Sequence, residues 1–441
     1  MLIINGTLII NDNTLKVIHN GAISIEKNLI QDLGKTSDLL KKYPKKEIID
    51  VKGKIVMPGL INSHMHLYST FASGLIIRDK PPKNFVEILK KLWWKLDTIL
   101  DEKGIYFSAL PPLINCIKFG TTTIIDHHSS PSFISGSLDV IAEASTKIGI
   151  RTSLCYETTD RNGIRGADEG IKENLRFIQR CKKENNPMLS ALLGLHANLT
   201  LSDKTLFKCI EAVDDLRCGF HIHLSEDKAD EENSIKKYNL SCTKRLNTFG
   251  ILNEKTVTAH CVHISKDDMK LLRKSHTNVI HNPRSNMNNA IGTAKIIDWK
   301  KHNIKFGLGT DGMSSSMWDE FKTGILIHKI VNQNPNIASS EIIEALFLNN
   351  PVIASKIFNQ NVGKLKKNYL ADIVILDYYP PTTLSDETLI SHLLFGICNA
   401  PVDTTIVNGK VLMRNKELLY IDEQQIATEA QSVAKKLINK L

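Results

Sequence analysis

Between residues 55 and 311 the chain alternates short apolar runs with amphipathic helical stretches, and that alternation leaves few folds open to it. The runs fall at 55–63, 121–126, 151–157, 189–196, 219–224, 256–262, 277–282 and 304–311. Runs such as TTTIID and LSALLGLH are apolar on both faces, as strands of a parallel sheet covered on both sides must be. Stretches such as SLDVIAEASTKIG and DKTLFKCIEAV supply the helical crossovers between them. Eight such units predict an α/β fold, a (β/α)8 barrel of the TIM type.

The two ends of the chain have a different texture. Residues 1–54 read as short strands with Asn-Gly and Lys-Gly turns, and ADIVILDY (371–378) and TTIVNGKVLM (404–413) repeat that pattern before a helical tail from about Asp422. The expectation is a composite β-sandwich built from both ends: 1–57 and 356–441, the latter with a terminal helix, flanking a barrel at 58–355.

Composition excludes several classes. A net charge of +9 would suit an anionic partner if clustered, but pairs such as Lys41-Lys42, Lys182-Lys183 and Lys366-Lys367 are scattered, so neither nucleic acid nor a membrane surface is expected. No apolar run is long enough to span a bilayer, and the opening MLIINGTLIINDN lacks the basic and cleavage regions of a signal peptide. Eight cysteines without a C-x-x-C pair read as reduced thiols of a cytoplasmic protein.

The chemistry-bearing residues recur at one place in each unit. IVMPGLINSHMHLY (55–68) ends its apolar run in His64 and His66, which at i and i+2 share one face of a strand. The later units end in Asp126-His127-His128, Glu157 to Arg161, His196, His221, His223 and Glu226, His260 and His263, His281 to Asn286, and Asp311. A barrel builds its active site at the C-terminal ends of its strands, so this distribution is that of an enzyme.

On the motifs PGLINSHMH, HIHLSED, TAHCVH, HNPRSNMNN and GLGTDGMSS, the chain resembles the amidohydrolase superfamily. It is most similar to the branch holding guanine deaminase, the adenosine-derivative deaminases and the triazine chlorohydrolases. Within that branch, LWWKLD, TTTIIDHHSSP and ETTDRNG resemble the SsnA group of aminohydrolases, which is associated with purine-type metabolism. The resemblance implies one divalent ion, Zn²⁺ or else Fe²⁺, held by His64, His66, His223 and Asp311. It implies attack by a metal-activated hydroxide oriented by His260, with Glu226 shuttling protons and Asp311 accepting one. Strand four carries no lysine at its end, which argues against the binuclear members.

The implied reaction is deamination of an amino-substituted, purine-like heterocycle with release of ammonia. Displacement of another leaving group, as in the chlorohydrolases, stays open; a non-catalytic scaffold is disfavoured because every candidate ligand is retained. His196 follows strand four where a substrate contact is expected. Arg161 either binds substrate or closes a loop ion pair with Asp160 or Asp168. Adjacent Trp93 and Trp94 cannot both face the core, so one, Trp93, is expected against a flat ring. The small-molecule substrate is the expected partner, in a homodimer as is frequent among the relatives.

Overall fold

The computed structural model describes residues 1–76 and 80–441. Its barrel strands are β1 (Leu60–Met65), β2 (Thr121–Asp126), β3 (Arg151–Leu154), β4 (Leu189–Ala191 and Leu193–Ala197), β5 (Phe220–Leu224), β6 (Val257–His260), β7 (Asn278–His281) and β8 (Phe306–Leu308). Each falls within or beside one of the expected runs. β2, β5 and β7 are buried along their whole length, which is why their sequences lack the alternation of a half-exposed strand. Pairing runs in parallel from β1 to the first piece of β4 and from its second piece to β8. A parallel bridge between Met65 and Asp311 closes β8 onto β1.

The break in β4 departs from the single strand expected at 189–196. Leu192 N–H donates to Leu154 O (3.2 Å), whereas Leu193 N–H donates to Gly219 O (3.0 Å), so the strand changes partner between adjacent residues. Gly194 lies just past the exchange. A Cβ there would sit 2.2 Å from the Tyr156 carbonyl oxygen, so only glycine admits this approach.

The terminal segments meet as expected, but as one hydrogen-bonded sheet of nine strands. Ile55–Pro58 pairs with Leu2–Asn11 on one side and antiparallel to Ile373–Leu376 on the other, joining the two ends of the chain. Ile3, Leu8, Ile23, Val56, Ile373 and Ile406 from both halves form one apolar cluster. The barrel is tied to this sheet by Arg151 at the start of β3, whose Nη2 lies 2.9 Å from both carboxylate oxygens of Asp372. Both side chains are fully buried. The tail forms a helix, Glu423–Ile438, capped by Asp422 and packed on the helix Glu102–Phe119. No helix among the described residues is long and apolar enough to cross a membrane.

Candidate active site

Three strand ends leave the barrel through left-handed backbone: Ser225 (φ 49°) after β5, His260 (71°) at the end of β6 and Asp311 (54°) after β8. Non-glycine residues rarely adopt that region, and such strain concentrates where side chains must be aimed at a site. Asp311 N–H is held by His64 O at 3.0 Å and Cys261 N–H by Leu224 O at 2.9 Å, which fixes both turns.

The side chains converge. One oxygen of Asp311, Oδ1, lies 2.9 Å from His66 Nε2 and 3.5 Å from His64 Nε2; the other, Oδ2, faces His260 Nε2 at 3.7 Å and accepts from the Ser285 hydroxyl. His66 Nε2 and His223 Nε2 are 3.1 Å apart. His64, His223, His260 and Asp311 each present a ligand atom within 4.8 Å of the others.

The rings are set from behind. His66 Nδ1–H donates to His127 O (2.6 Å) and His223 Nδ1–H to His196 O (2.9 Å), which turns each Nε2 toward the cluster. His64 Nδ1 contacts His221 Nε2 (2.8 Å), and His260 Nδ1–H donates to Asn286 Oδ1 (2.8 Å). His64 Nε2 and His260 Nε2 are buried without a hydrogen-bond partner. Unpartnered buried acceptors are costly unless a cation takes them up, so this donor set fits a divalent ion.

Charge agrees with geometry. Burial pushes His64 down to about 3 and, with the neighbouring rings, holds His223 well below the ordinary histidine value. Burial also opposes a proton on His66, but Asp311 and Glu157 outweigh it and raise this ring to about 9. His64, His223 and His260 are thus biased toward the neutral imidazole, the form that ligates a cation. Glu226 is the opposite case: burial, then the Asp311 charge, raise its carboxyl well above the ordinary glutamate value. Its Oε2 lies 3.6 Å from His260 Nε2, and Oε1 accepts from Asn289 at 3.4 Å.

Above the cluster opens a cavity of about 50 Å³. Apolar Phe85, Leu89, Trp93, Trp94 and Met313 line it together with polar Asp97, Glu157 and His196. Both tryptophans face the cavity, contrary to the expectation of one, because a π turn at Leu89–Trp93 widens the helix just before Trp94. Arg161 does not line the cavity. Its guanidinium pairs with Asp97, not with Asp160 or Asp168, and stacks 5.2 Å from the Trp94 ring. Asp160 instead accepts from Ser202 N–H, and Asp168 pairs with Lys208. His281 lies outside the cluster, its Nε2 2.9 Å from His328 Nε2. Asp97, His127, Ser285 and Asn286 had no assigned role from sequence, although LWWKLD and PRSNMNN contain three of them; their contacts lie across the fold.

An eight-stranded parallel barrel with a histidine–aspartate ion site at its strand ends and a buried carboxyl group beside it defines a barrel metallohydrolase. The chain belongs to the amidohydrolase family, whose model matches residues 55–412. It is 32% identical over 417 residues to a 5'-deoxyadenosine deaminase of Methanocaldococcus jannaschii, covering 93% of this chain and 95% of the relative. It is 29% identical to a 5-methylthioadenosine/S-adenosylhomocysteine deaminase of Acetivibrio thermocellus, with 99% of each covered. A zinc-bound adenosine deaminase structure from Xanthomonas campestris superposes with a TM-score of 0.88 at 18% identity, covering 100% of this chain and 98% of that one.

Proposed function

We propose that this protein deaminates a 6-aminopurine nucleoside or a close analogue, with one zinc ion held by His64, His66, His223 and Asp311. The observation that carries the reading is Glu226, a carboxyl group 3.6 Å from His260 beside the ion site, whose hold on a proton burial raises well above that of an ordinary glutamate. Three imidazoles and a carboxylate are donors that suit zinc, and the zinc-bound structural neighbour supports that ion. An ion in this site supplies Lewis acidity and acidifies a bound water.

The remaining chemistry belongs to the chain. Asp311 Oδ1 turns toward His64 and His66, so Oδ2, which also accepts from the Ser285 hydroxyl, is the oxygen placed to take a proton on the side where His260 and Glu226 stand. His260, with Nδ1–H fixed on Asn286, offers Nε2 as the acceptor that orients the attacking water. Attack at the amino-bearing carbon ends the ring's aromaticity, and the adjacent ring nitrogen must gain a proton. Glu226 delivers it, is left as a carboxylate, takes up a proton that came from the attacking water, and passes it to the departing amino group. The relatives named for 5'-deoxyadenosine and 5-methylthioadenosine support the purine nucleoside as substrate class. The cytoplasmic placement is supported by eight free cysteines.

Ammonia release from amino-substituted purines, pyrimidines, pterins and triazines tests the reading, alongside elemental analysis of the same preparation. About one equivalent of zinc and release from a 6-aminopurine nucleoside are expected. Release of halide or alcohol without ammonia would replace deamination by a displacement of the triazine type.

A further inference from the structure

Four carboxylates, Asp97, Glu157, Glu226 and Asp311, line the cavity, and no lysine or arginine among the described residues does. Asp311 and Glu226 belong to the ion site and the proton path. Asp97 and Glu157 are left over, with one guanidinium behind them: Arg161 Nη2 bonds Asp97 and lies 3.6 Å from Glu157 Oε1.

Two imidazoles stand beside Glu157. His127 Nε2–H is shared between the carbonyls of Leu195 (3.1 Å) and His221 (3.2 Å), which leaves its Nδ1 facing Glu157 Oε2 at 3.4 Å. That Nδ1 is buried without a hydrogen-bond partner. Thr200 donates its hydroxyl proton to Ala197 O, so His196 Nδ1–H donates to Thr200 Oγ1 (2.6 Å). His196 Nε2, 3.9 Å from Glu157, is then an acceptor. Among the described residues, the two carboxylates thus have no lysine or arginine beside them in the cavity lining; Arg161 stands behind, and the rings of His127 and His196 flank Glu157.

We propose that Glu157, seconded by Asp97, is the specificity determinant of the cavity: it reads a cationic or N–H-rich end of a flat heterocycle and rejects substituents that are anionic at neutral pH. Phe85, Trp93 and Trp94 offer the planar surface against which such a ring lies. A carboxylate or phosphate beside these carboxylates would meet two like charges in a water-poor cavity, a repulsion that discriminates more strongly than a missing contact. The inference rests on the aminohydrolase reading for where the ring sits, and goes beyond it in naming the charge class of the substrate.

The test is equilibrium binding, independent of turnover. Benzamidine and benzamide have the same planar shape and differ in charge; each is titrated calorimetrically into the metal-loaded protein. Benzamidine is expected to bind at least about tenfold tighter, as charge-assisted hydrogen bonds outweigh neutral ones. Glu157→Gln should erase that preference with metal content unchanged, and Asp97→Asn should reduce it; Arg161 keeps a partner in either variant, so the loop has no reason to unfold. Equal affinities in the wild type, binding of neither compound, or a preference that survives Glu157→Gln would each overturn the proposal. The aminohydrolase reading fails on a separate result, the absence of ammonia release from every heterocycle.

Discussion

Glu226 is the residue on which the chemistry turns, because its position and its protonation state come from different sources. The turn after β5 carries it past His223 to within 3.6 Å of His260 Nε2, and burial then strengthens its hold on a proton. Glu226→Gln preserves shape and hydrogen bonding but removes the transferable proton. We expect kcat to fall by about 10²–10⁴ with metal retained, since general acid–base assistance contributes on that order. Near-normal ammonia release with this variant would remove the proton-shuttle role. His221 illustrates a subtler dependence. It touches no substrate, but its Nε2 receives His64 Nδ1 at 2.8 Å and so sets which nitrogen of His64 faces the ion site. His221→Phe should weaken metal affinity by about 10–100-fold, the usual loss when a residue that orients a ligand is removed. Chelator competition measures this directly, and unchanged affinity would make His221 a packing residue only.

At the scale of the element, the short helix Pro283–Asn288 does more than its length suggests. Ser285 donates to Asp311, Asn286 accepts from His260, and Asn289 just beyond the helix donates to Glu226. One turn of helix thus holds three of the groups on the outer side of the cluster. Arg284 anchors it through Glu320 and Asp319 on the helix Met317–Val331. Asn286→Ala should lower kcat more than it raises KM, because it frees the His260 ring to rotate while leaving the cavity open. Asn286→Asp, which keeps an acceptor on Nδ1–H, should restore part of the loss; equal defects in the two variants would contradict the positioning role. The same helix shows how far the sequence could be read. Its motif was visible, as were the eight strand runs, because a strand buried on both faces writes its burial into consecutive residues. Its contacts were not visible, since Asn286 meets His260 across 26 positions. Arg161 finds Asp97 64 positions away, when two closer aspartates offered themselves. The break in β4 was hidden for the same reason: it depends on which neighbour, Leu154 or Gly219, receives each N–H.

For the molecule as a whole, the question is what keeps the barrel seated on the sheet made from both ends of the chain. Pro58-Gly59 passes directly from one to the other, and Gly59 approaches Thr122 so closely that a Cβ would lie 2.2 Å from its methyl group. Beside this joint stands the Arg151–Asp372 pair, both side chains fully buried; Asp372 Oδ1 also accepts Asn408 N–H at 2.7 Å. Taking both charges out of water offsets most of their attraction, so the pair adds little net stability compared with an apolar pair of the same volume. Breaking it is another matter, because the partner left behind is a buried, uncompensated charge. Arg151→Met should therefore destabilise the fold by about 3–5 kcal/mol, read as a shift of the urea unfolding curve. The double variant Arg151→Met/Asp372→Asn should recover most of that loss, since asparagine still accepts from Asn408 and no charge remains unpaired. Both variants should hold the same equivalent of metal when folded, the pair lying at the start of β3 and the ion site at the strand ends. A double variant no more stable than Arg151→Met would mean that the guanidinium's packing, which includes a contact 5.9 Å from the Phe358 ring, matters more than its charge in joining barrel to sheet.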